Sequence, residues 1–169
     1  MLFRSLESNK YVGDWQDGNR TGKGTYNYAN GDKYIGSWIN GQRTGQGSII
    51  WSDGSKYTGD WQSDVITGKG TKTWGSSTKF GGDEYVGSFI QGLMVGQGRY
   101  THANGDQYVG TFKNDKFNGE GMLSISVSGN KIVGIFKDNE LVNQSKLIYA
   151  NGEEYAGTLQ NGRRTGKGV

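Results

Sequence analysis

The sequence contains no cysteine and no proline among its 169 residues, and its only histidine is His102. Without cysteine it can form no disulfide framework, no thiol nucleophile and no cysteine-ligated zinc site, and one histidine does not supply a histidine-rich metal site. Long apolar runs are also missing: there is no stretch of about 18 apolar residues, and residues 1–10 lack the apolar segment of a secretory signal peptide. We therefore expect a cytosolic protein that holds no metal or cofactor.

Two residue types are abundant instead. The chain has 31 glycines, and its aromatic residues are 5 Trp, 10 Tyr and 6 Phe. Glycine-rich chains that stay disordered are poor in aromatic residues, so this composition predicts a folded chain. The fold has to use the glycines and the rings together.

A repeat of about 23 residues explains this composition. The units begin at a Tyr-x-Gly sequence, or its equivalent, with spacings of 23, 23, 28, 23, 24 and 23 residues. The seven starting residues are Tyr11, Tyr34, Tyr57, Tyr85, Tyr108, Ile132 and Tyr155. A fixed period of this size is typical of repeat arrays. We predict an N-terminal segment over 1–10 and a repeat array over 11–169, with the last unit cut short.

Three departures from the repeat carry expectations of their own. The third unit holds a five-residue insertion within 75–81, and the fifth has one extra residue near 126–128. The sixth unit replaces its usual glycines with Asn139, Asn143 and Ser145. We expect this sixth unit to pack less regularly than the others.

Each unit is predicted to be a β-hairpin, because both of its halves alternate with period two and neither has helical spacing. Asn30-Gly31, Asp53-Gly54, Asn104-Gly105 and Asn151-Gly152 lie between units and are predicted to form type I′ turns. Consecutive hairpins then form an all-β fold with no helical domain. We expect an elongated, twisted, single-layer antiparallel β-meander of seven hairpins.

Alternation also assigns residues to the two faces of the sheet. The rings and the glycines fall on one face, where a ring can lie flat over a glycine and compensate for its missing side chain. We predict that this face forms an aromatic groove that can hold a partner helix. Its residues are Tyr11, Trp15, Tyr34, Trp38, Tyr57, Trp61, Tyr85, Phe89, Tyr108 and Phe112.

The other face carries one semi-apolar residue per unit, such as Val12, Val109 and Val133. That column reflects either the strand preference of β-branched residues or a stripe that packs against a partner.

The segment between the two strands of each hairpin varies along the chain. In the end units it is polar and basic, as in Gln42-Arg43, but in the middle units it is apolar. Exposed apolar patches mark interaction sites, so we predict a ridge for partner binding or self-association. Its residues are Val65, Ile66, Leu93, Met94, Val95 and Phe117. The alternative is that these side chains fold back over the sheet.

The repeat consensus resembles a known family. The sequence from Tyr34 to Gly47, Tyr-x-Gly-x-Trp-x-x-Gly-x-x-x-Gly-x-Gly, is similar to the MORN (membrane occupation and recognition nexus) repeat, and the likeness extends over 11–169. This resemblance implies a scaffold in the cytoplasm, peripheral to membranes or to the cytoskeleton. It also implies two alternatives: a module that binds anionic phospholipids, and the recognition part of a larger enzyme such as a lipid kinase or a lysine methyltransferase.

The remaining residues indicate binding rather than catalysis. The glycines never form a dinucleotide-binding or Walker sequence, the carboxylates fall at turns, and His102 stands where Tyr28 and Trp51 stand in their units, so we predict a substitute ring there. A net charge of +3 without a basic cluster argues against nucleic-acid binding. For the phospholipid alternative, the candidate contacts are Arg20, Arg43, Lys56, Arg163 and Arg164.

Overall fold

The computed structural model describes residues 8–160 and 163–168, without the side chains of residues 143, 144, 160, 163, 166 and 167. It divides into two compact units, Met1–Gly82 and Asp83–Val169, which are described separately below. Every regular element in the described ranges is a β-strand. No helix in that part of the chain is long and apolar enough to cross a membrane.

The first unit contains six strands and the second contains eight. The strands of the first unit are β1 (Lys10–Gln16), β2 (Asn19–Asn27), β3 (Lys33–Ile39), β4 (Gln42–Ile50), β5 (Lys56–Gln62) and β6 (Val65–Thr73). Those of the second are β7 (Glu84–Ile90), β8 (Leu93–Thr101), β9 (Gln107–Lys113), β10 (Lys116–Ser124), β11 (Lys131–Lys137), β12 (Glu140–Ile148), β13 (Glu154–Gln160) and β14 (Arg163–Gly168).

Within each unit, every strand pairs antiparallel with the strands before and after it in the chain. The predicted all-β meander is therefore confirmed. Glycines mark the register: Gly13 lies opposite Gly24, which in turn lies opposite Gly36. A β-bulge follows in each hairpin, where Asp14 pairs with Thr21 and leaves two residues of β2 without a direct partner.

The core lies on the face that carries the rings. A Cβ atom built on Gly36 would overlap the ring of Tyr34 and would stand 2.6 Å from the Cα atom of Gly47. Tyr34, Tyr57, Tyr85 and Tyr108 are fully buried in this position, each over a pair of glycines. The predicted use of glycine to make room for a ring is confirmed. A sheet of one layer thus buries its apolar surface beneath its own side chains.

The predicted positions of the type I′ turns are wrong. Both central residues of such a turn need positive φ, and this is found inside the hairpins, at Asp17 (49°) with Gly18 (74°) and at Asn40 (49°) with Gly41 (80°). Between the hairpins only the glycine has positive φ, as at Gly31 (92°), whose N–H donates to the carbonyl of Tyr28 at 3.0 Å. Asn30 instead accepts the N–H of Asp32 through its side chain at 3.1 Å.

The connections between hairpins are tied to one another by a repeated hydrogen bond. A side-chain oxygen in one connection accepts a hydrogen bond from a backbone N–H of the next connection, 20 residues further along the chain. Asp32 accepts from Ser52 (2.8 Å) and Asp106 accepts from Ser126 (2.8 Å). Asn130 makes the same bond to Ala150 at 3.1 Å. These bonds satisfy backbone groups outside the strands and fix the spacing of neighbouring repeats.

In the sixth repeat aliphatic side chains take the place of some of the rings. Ile132 replaces the tyrosine, and Ile132, Leu147, Tyr155 and Leu159 form a buried cluster. Gly134 is covered by Leu141 and Ser145 instead of a tyrosine ring, and the Ser145 hydroxyl is buried without a hydrogen-bond partner in the structure. The expected departure from the regular packing is found here. The side chain of Asn143, which belongs to the same prediction, lies outside the described residues.

The buried tyrosines predict a loss of stability at high pH. Burial raises the pKa of Tyr34, Tyr57 and Tyr85 from 10.0 to about 12. Between these values the unfolded chain has released protons that the folded chain still holds, so the free energy of unfolding falls as the pH rises. One pKa unit corresponds to about 1.4 kcal/mol, so three such groups predict a loss of several kcal/mol. Tyrosinate absorbance and circular dichroism should change together between pH 10 and 12. Tyrosines that all ionise near pH 10 in an intact fold would contradict this prediction.

Candidate functional site

The residues predicted to line an aromatic groove form the core of the ring face. Eight of the ten are at most 5 % exposed, while Tyr11 is half-buried and Trp15 is 60 % exposed. The rings meet edge to face: Tyr34 lies 5.2 Å from both Trp38 and Trp61, measured between ring centroids. Such contacts add to the free energy gained from burial. The residues predicted to line a groove therefore pack against one another and fill this face.

A second column of side chains covers these rings. Its members lie directly opposite the fifth residue of each repeat, as Arg20 lies opposite Trp15 and Phe117 opposite Phe112. In sequence order the column is Arg20, Arg43, Ile66, Met94, Phe117, Leu141 and Arg164. We call it the covering column. Its arginines stack on rings, whereas Phe117 stacks in parallel on Tyr108 at 3.8 Å.

The basic residues predicted for phospholipid contact do not form one surface. Arg20 and Arg43 belong to the covering column, with guanidinium carbons 4.4 Å from the rings of Trp38 and Trp61. Arg43 also pairs with Asp64 at 2.8 Å. Lys56 is exposed at the start of β5, at the opposite end of the strands, and Arg164 lies in the second unit. The side chain of Arg163 falls outside the described residues.

The residues of the predicted ridge are divided between the two faces. They begin strands rather than forming loops: Val65 starts β6 and Leu93 starts β8. Val65 and Leu93 are exposed, whereas Met94 is 5 % exposed within the covering column. Ile66 and Phe117 belong to the same column, and Val95 is half-buried opposite Ser88. Three of the six residues thus fold back over the rings.

The face opposite the rings is open, and it carries the exposed aliphatic residues. In the second unit Val109, Met122 and Val133 lie side by side on β9, β10 and β11, and Ile135 follows two residues after Val133. Val109, Val133 and Ile135 are 42 %, 38 % and 45 % exposed. We call these four residues the aliphatic patch. The column of Val109 and Val133 is visible in the sequence, whereas Met122 and Ile135 were not predicted to belong to a site.

A basic corner adjoins the aliphatic patch. Lys113, Lys116 and Lys137 are exposed around a depression that also includes Ile135. Lys116 pairs with Asp138 at 3.2 Å, which partly neutralises this corner. The other two lysines leave a positive charge beside the apolar side chains.

The residues around His102 form a hydrogen-bonded cluster that stabilises the fold. Asp83, which is buried, accepts a hydrogen bond from the Tyr100 hydroxyl at 2.6 Å and from the backbone N–H of Ala103 at 2.8 Å, and lies 3.2 Å from Nδ1 of His102. Burial and this hydrogen bond raise the pKa of Tyr100. The hydrogen bond from Ala103 is equivalent to the one that Asp32 accepts from the next connection. Asp83 therefore has a structural role. Within the described ranges, no three His, Cys, Asp or Glu side chains are grouped to hold a metal ion.

Comparison with known proteins agrees with this architecture. The family model for the MORN repeat matches residues 11–33, 34–56, 57–79, 85–107, 108–126 and 155–169. Residues 127–154, which include the aliphatic sixth repeat, fall outside these matches. No curated protein matches the sequence.

A solved structure shows the same type of fold. The TCP domain of SAS-4 (dCPAP) from Drosophila melanogaster, in complex with a proline-rich motif of Ana2 (dSTIL), is similar with a TM-score of 0.57. The likeness covers 92 % of this chain and 81 % of that one, at 10 % sequence identity.

Proposed function

Since this chain belongs to the MORN repeat family, we propose that it is a non-catalytic scaffold that binds a segment of another protein on the open face of its sheet. The observation that carries this proposal is the aliphatic patch. Apolar residues that served only to stabilise their own strands would not have to lie side by side on three consecutive strands, as these do. A contiguous exposed apolar surface beside polar residues is typical of an interaction site.

The geometry of the patch favours an elongated partner segment. Val109, Met122 and Val133 form a row that crosses three strands, so a segment lying along the row would place successive apolar side chains between them. Lys113 and Lys137 lie to one side of this row, at the ends of β9 and β11. A segment with aliphatic residues along the row and acidic residues on the side that faces the lysines matches both features, since charge complementarity fixes orientation and speeds association.

The similar fold of the TCP domain supports peptide binding by a sheet of this kind, since that domain was solved with a proline-rich motif of its partner. The ring face is less suited to this role, because its rings are buried under the covering column. The open face offers side chains that are accessible without any rearrangement.

A charge placed in the aliphatic patch tests this function. Peptides would be selected from a random display library on the immobilised chain, and their affinities would be measured by fluorescence anisotropy. Val133→Glu should weaken the selected peptides at least tenfold, because a carboxylate would lose water within an apolar contact, a cost above about 1.4 kcal/mol. Val127→Glu is the matched control, since Val127 is 95 % exposed and outside the patch.

Two results would contradict the proposal. The first is that the selected peptides bind both variants as tightly as they bind the unmodified chain. The second is that no peptide is selected, while the chain pellets with vesicles containing phosphatidylserine at low salt and not at high salt. That second result would favour the phospholipid alternative instead.

A further inference from the structure

The insertion in the third repeat forms an ordered loop over 74–82, after the end of β6. A hydrogen bond from the N–H of Gly82 to the carbonyl of Trp74, at 3.0 Å, closes this loop. A second bond, from the N–H of Gly75 to the hydroxyl of Ser55 at 3.0 Å, ties it to the preceding connection. Within the loop, Phe80 is 47 % exposed. The loop therefore holds a large ring in a fixed and accessible position.

Phe80 belongs to a row of rings beside the connections between hairpins. Its ring centroid lies 6.3 Å from that of Trp74, which follows β6, while Trp51 follows β4. Both tryptophans are half-buried. Because β4 and β6 flank β5, the two indoles are separated by two strand spacings, about 10 Å. We call Trp51, Trp74 and Phe80 the aromatic row. The covering column does not extend over it, since that column lies near the hairpin turns at the other end of the strands.

A lysine lies between the two indoles of the aromatic row. Lys72 is opposite Tyr57 on the ring face, and its Nζ atom lies 4.8 Å from the ring centroid of Trp74 and 6.0 Å from that of Trp51. In the other five of the first six repeats the equivalent residues are Tyr26, Ile49, Tyr100, Leu123 and Leu147. All of those side chains are largely apolar, whereas an ammonium group loses free energy of hydration where it is partly buried. The third repeat therefore departs from the core pattern at Lys72.

Two positive charges lie on the aromatic row. The Nζ atom of Lys79 is 5.4 Å from the ring centroid of Phe80, and Lys72 lies between the indoles. In the part of the chain that the structure describes, neither lysine forms an ion pair with a carboxylate. Each ammonium group has three N–H donors, which contacts with rings do not saturate. A ligand for this site has to offer apolar surface to the rings and oxygen atoms to the lysines.

We propose that the aromatic row binds a proline-rich segment of a partner protein, in the polyproline II conformation, with acidic residues after the prolines. Such a helix rises about 3.1 Å per residue, so prolines three residues apart repeat every 9 Å or so, close to the separation of the two indoles. Aromatic rings are the usual docking surface for proline-rich segments. The chain contains no proline, so the segment has to come from another molecule.

The two lysines match the polar groups of such a segment. A polyproline II helix makes no internal hydrogen bonds, so its backbone carbonyls are free to accept from Lys72 between the indoles. Lys79, which is exposed, would pair with an acidic residue beyond the prolines. This inference goes beyond the proposed function, because the aromatic row belongs to the first unit and the aliphatic patch to the second.

Fluorescence anisotropy with a labelled peptide of nine prolines followed by two glutamates tests the site. Phe80→Ala should weaken binding of this peptide about fivefold, because it removes an accessible ring without opening the core. Ile39→Ala is the matched control, since Ile39 is 59 % exposed in the same unit and lies outside the aromatic row. Its affinity should equal that of the unmodified chain. A peptide with alanine in place of every proline should bind about fivefold more weakly, because it lacks the preformed conformation.

A reversal of charge tests the contact with the acidic residues. Lys79→Glu should weaken the peptide that ends in glutamates about threefold, and should strengthen to a similar extent a peptide of nine prolines that ends in two lysines. A change that only disturbed the loop would weaken both peptides. The proposal is overturned if the proline peptide does not bind at millimolar concentration, if its alanine counterpart binds equally well, or if Phe80→Ala has no effect. Binding of oligothymidine without binding of the proline peptide would also overturn it and would favour stacking of bases on the rings.

Discussion

A Gly36→Ala variant is expected to lose about 3 kcal/mol of unfolding free energy, although it adds a single methyl group. The new Cβ atom would overlap the hydroxyl end of Tyr34 and stand 2.6 Å from the Cα atom of Gly47. Neither neighbour can move: Gly47 is held in the β3–β4 ladder, and Tyr34 is fully buried between Trp38 and Trp61. The methyl group therefore strains both the core and the sheet.

Gly92→Asn is the matched control for this variant. Gly92 has positive φ (77°) in a hairpin turn, and no atom lies within 4 Å of a Cβ built there. Asparagine tolerates this backbone conformation, so a change below about 1 kcal/mol is expected. Urea unfolding followed by tryptophan fluorescence gives both values. Equal losses for the two variants would contradict this prediction, because only Gly36 leaves space to a ring.

The period and the pairing of glycine with tyrosine were enough to predict the meander. A strand has only two faces, so the alternation of Tyr34, Gly36 and Trp38 fixes which residues share the core. The covering of Gly36 by Tyr34 follows from the same pattern. The two residues are neighbours on one face of β3, so the ring of Tyr34 can lie over the glycine. Local alternation and packing agree here, and for that reason the prediction from sequence holds.

The turns could not be assigned in the same way. Asn-Gly satisfies a type I′ turn, but it also satisfies a longer connection in which only the glycine has positive φ, as at Asn30-Gly31. The deciding contact is the hydrogen bond from the backbone N–H of Ser52 to the carboxylate of Asp32, which involves the next repeat and is invisible in the local sequence. The true hairpin turns use varied residues, including Ser63-Asp64.

The division of the predicted ridge has the same origin. Because the two-residue turn ends just before Leu93, that residue and Met94 both lie in β8 and point to opposite faces. If Leu93 and Met94 are taken for loop residues, as predicted from the sequence, they are placed on the same surface. Once the turn is placed correctly, Met94 falls opposite Phe89 in the core, and Leu93 falls opposite the exposed Ile90.

Trp38→Ala and Trp15→Ala provide the second large effect, because they remove the same side chain from the same repeat position. Trp38 is 2 % exposed, stacks with Arg20 at 4.4 Å and donates its Nε1–H to the carbonyl of Gly24 at 3.4 Å. Its removal is expected to cost about 3–5 kcal/mol, whereas Trp15→Ala should cost below about 1 kcal/mol. Thermal and urea unfolding of dilute samples would measure both.

The difference between these two losses follows from burial rather than from the type of side chain. Trp38 packs between Tyr34 and Tyr11, at 5.2 and 5.4 Å between ring centroids, so its removal leaves a cavity among rings of its own chain. Trp15 contacts Tyr11 at 5.2 Å and is 60 % exposed, so its removal takes away little buried surface. Losses of equal size would contradict this prediction, because they would mean that Trp15 is as well buried in solution as Trp38.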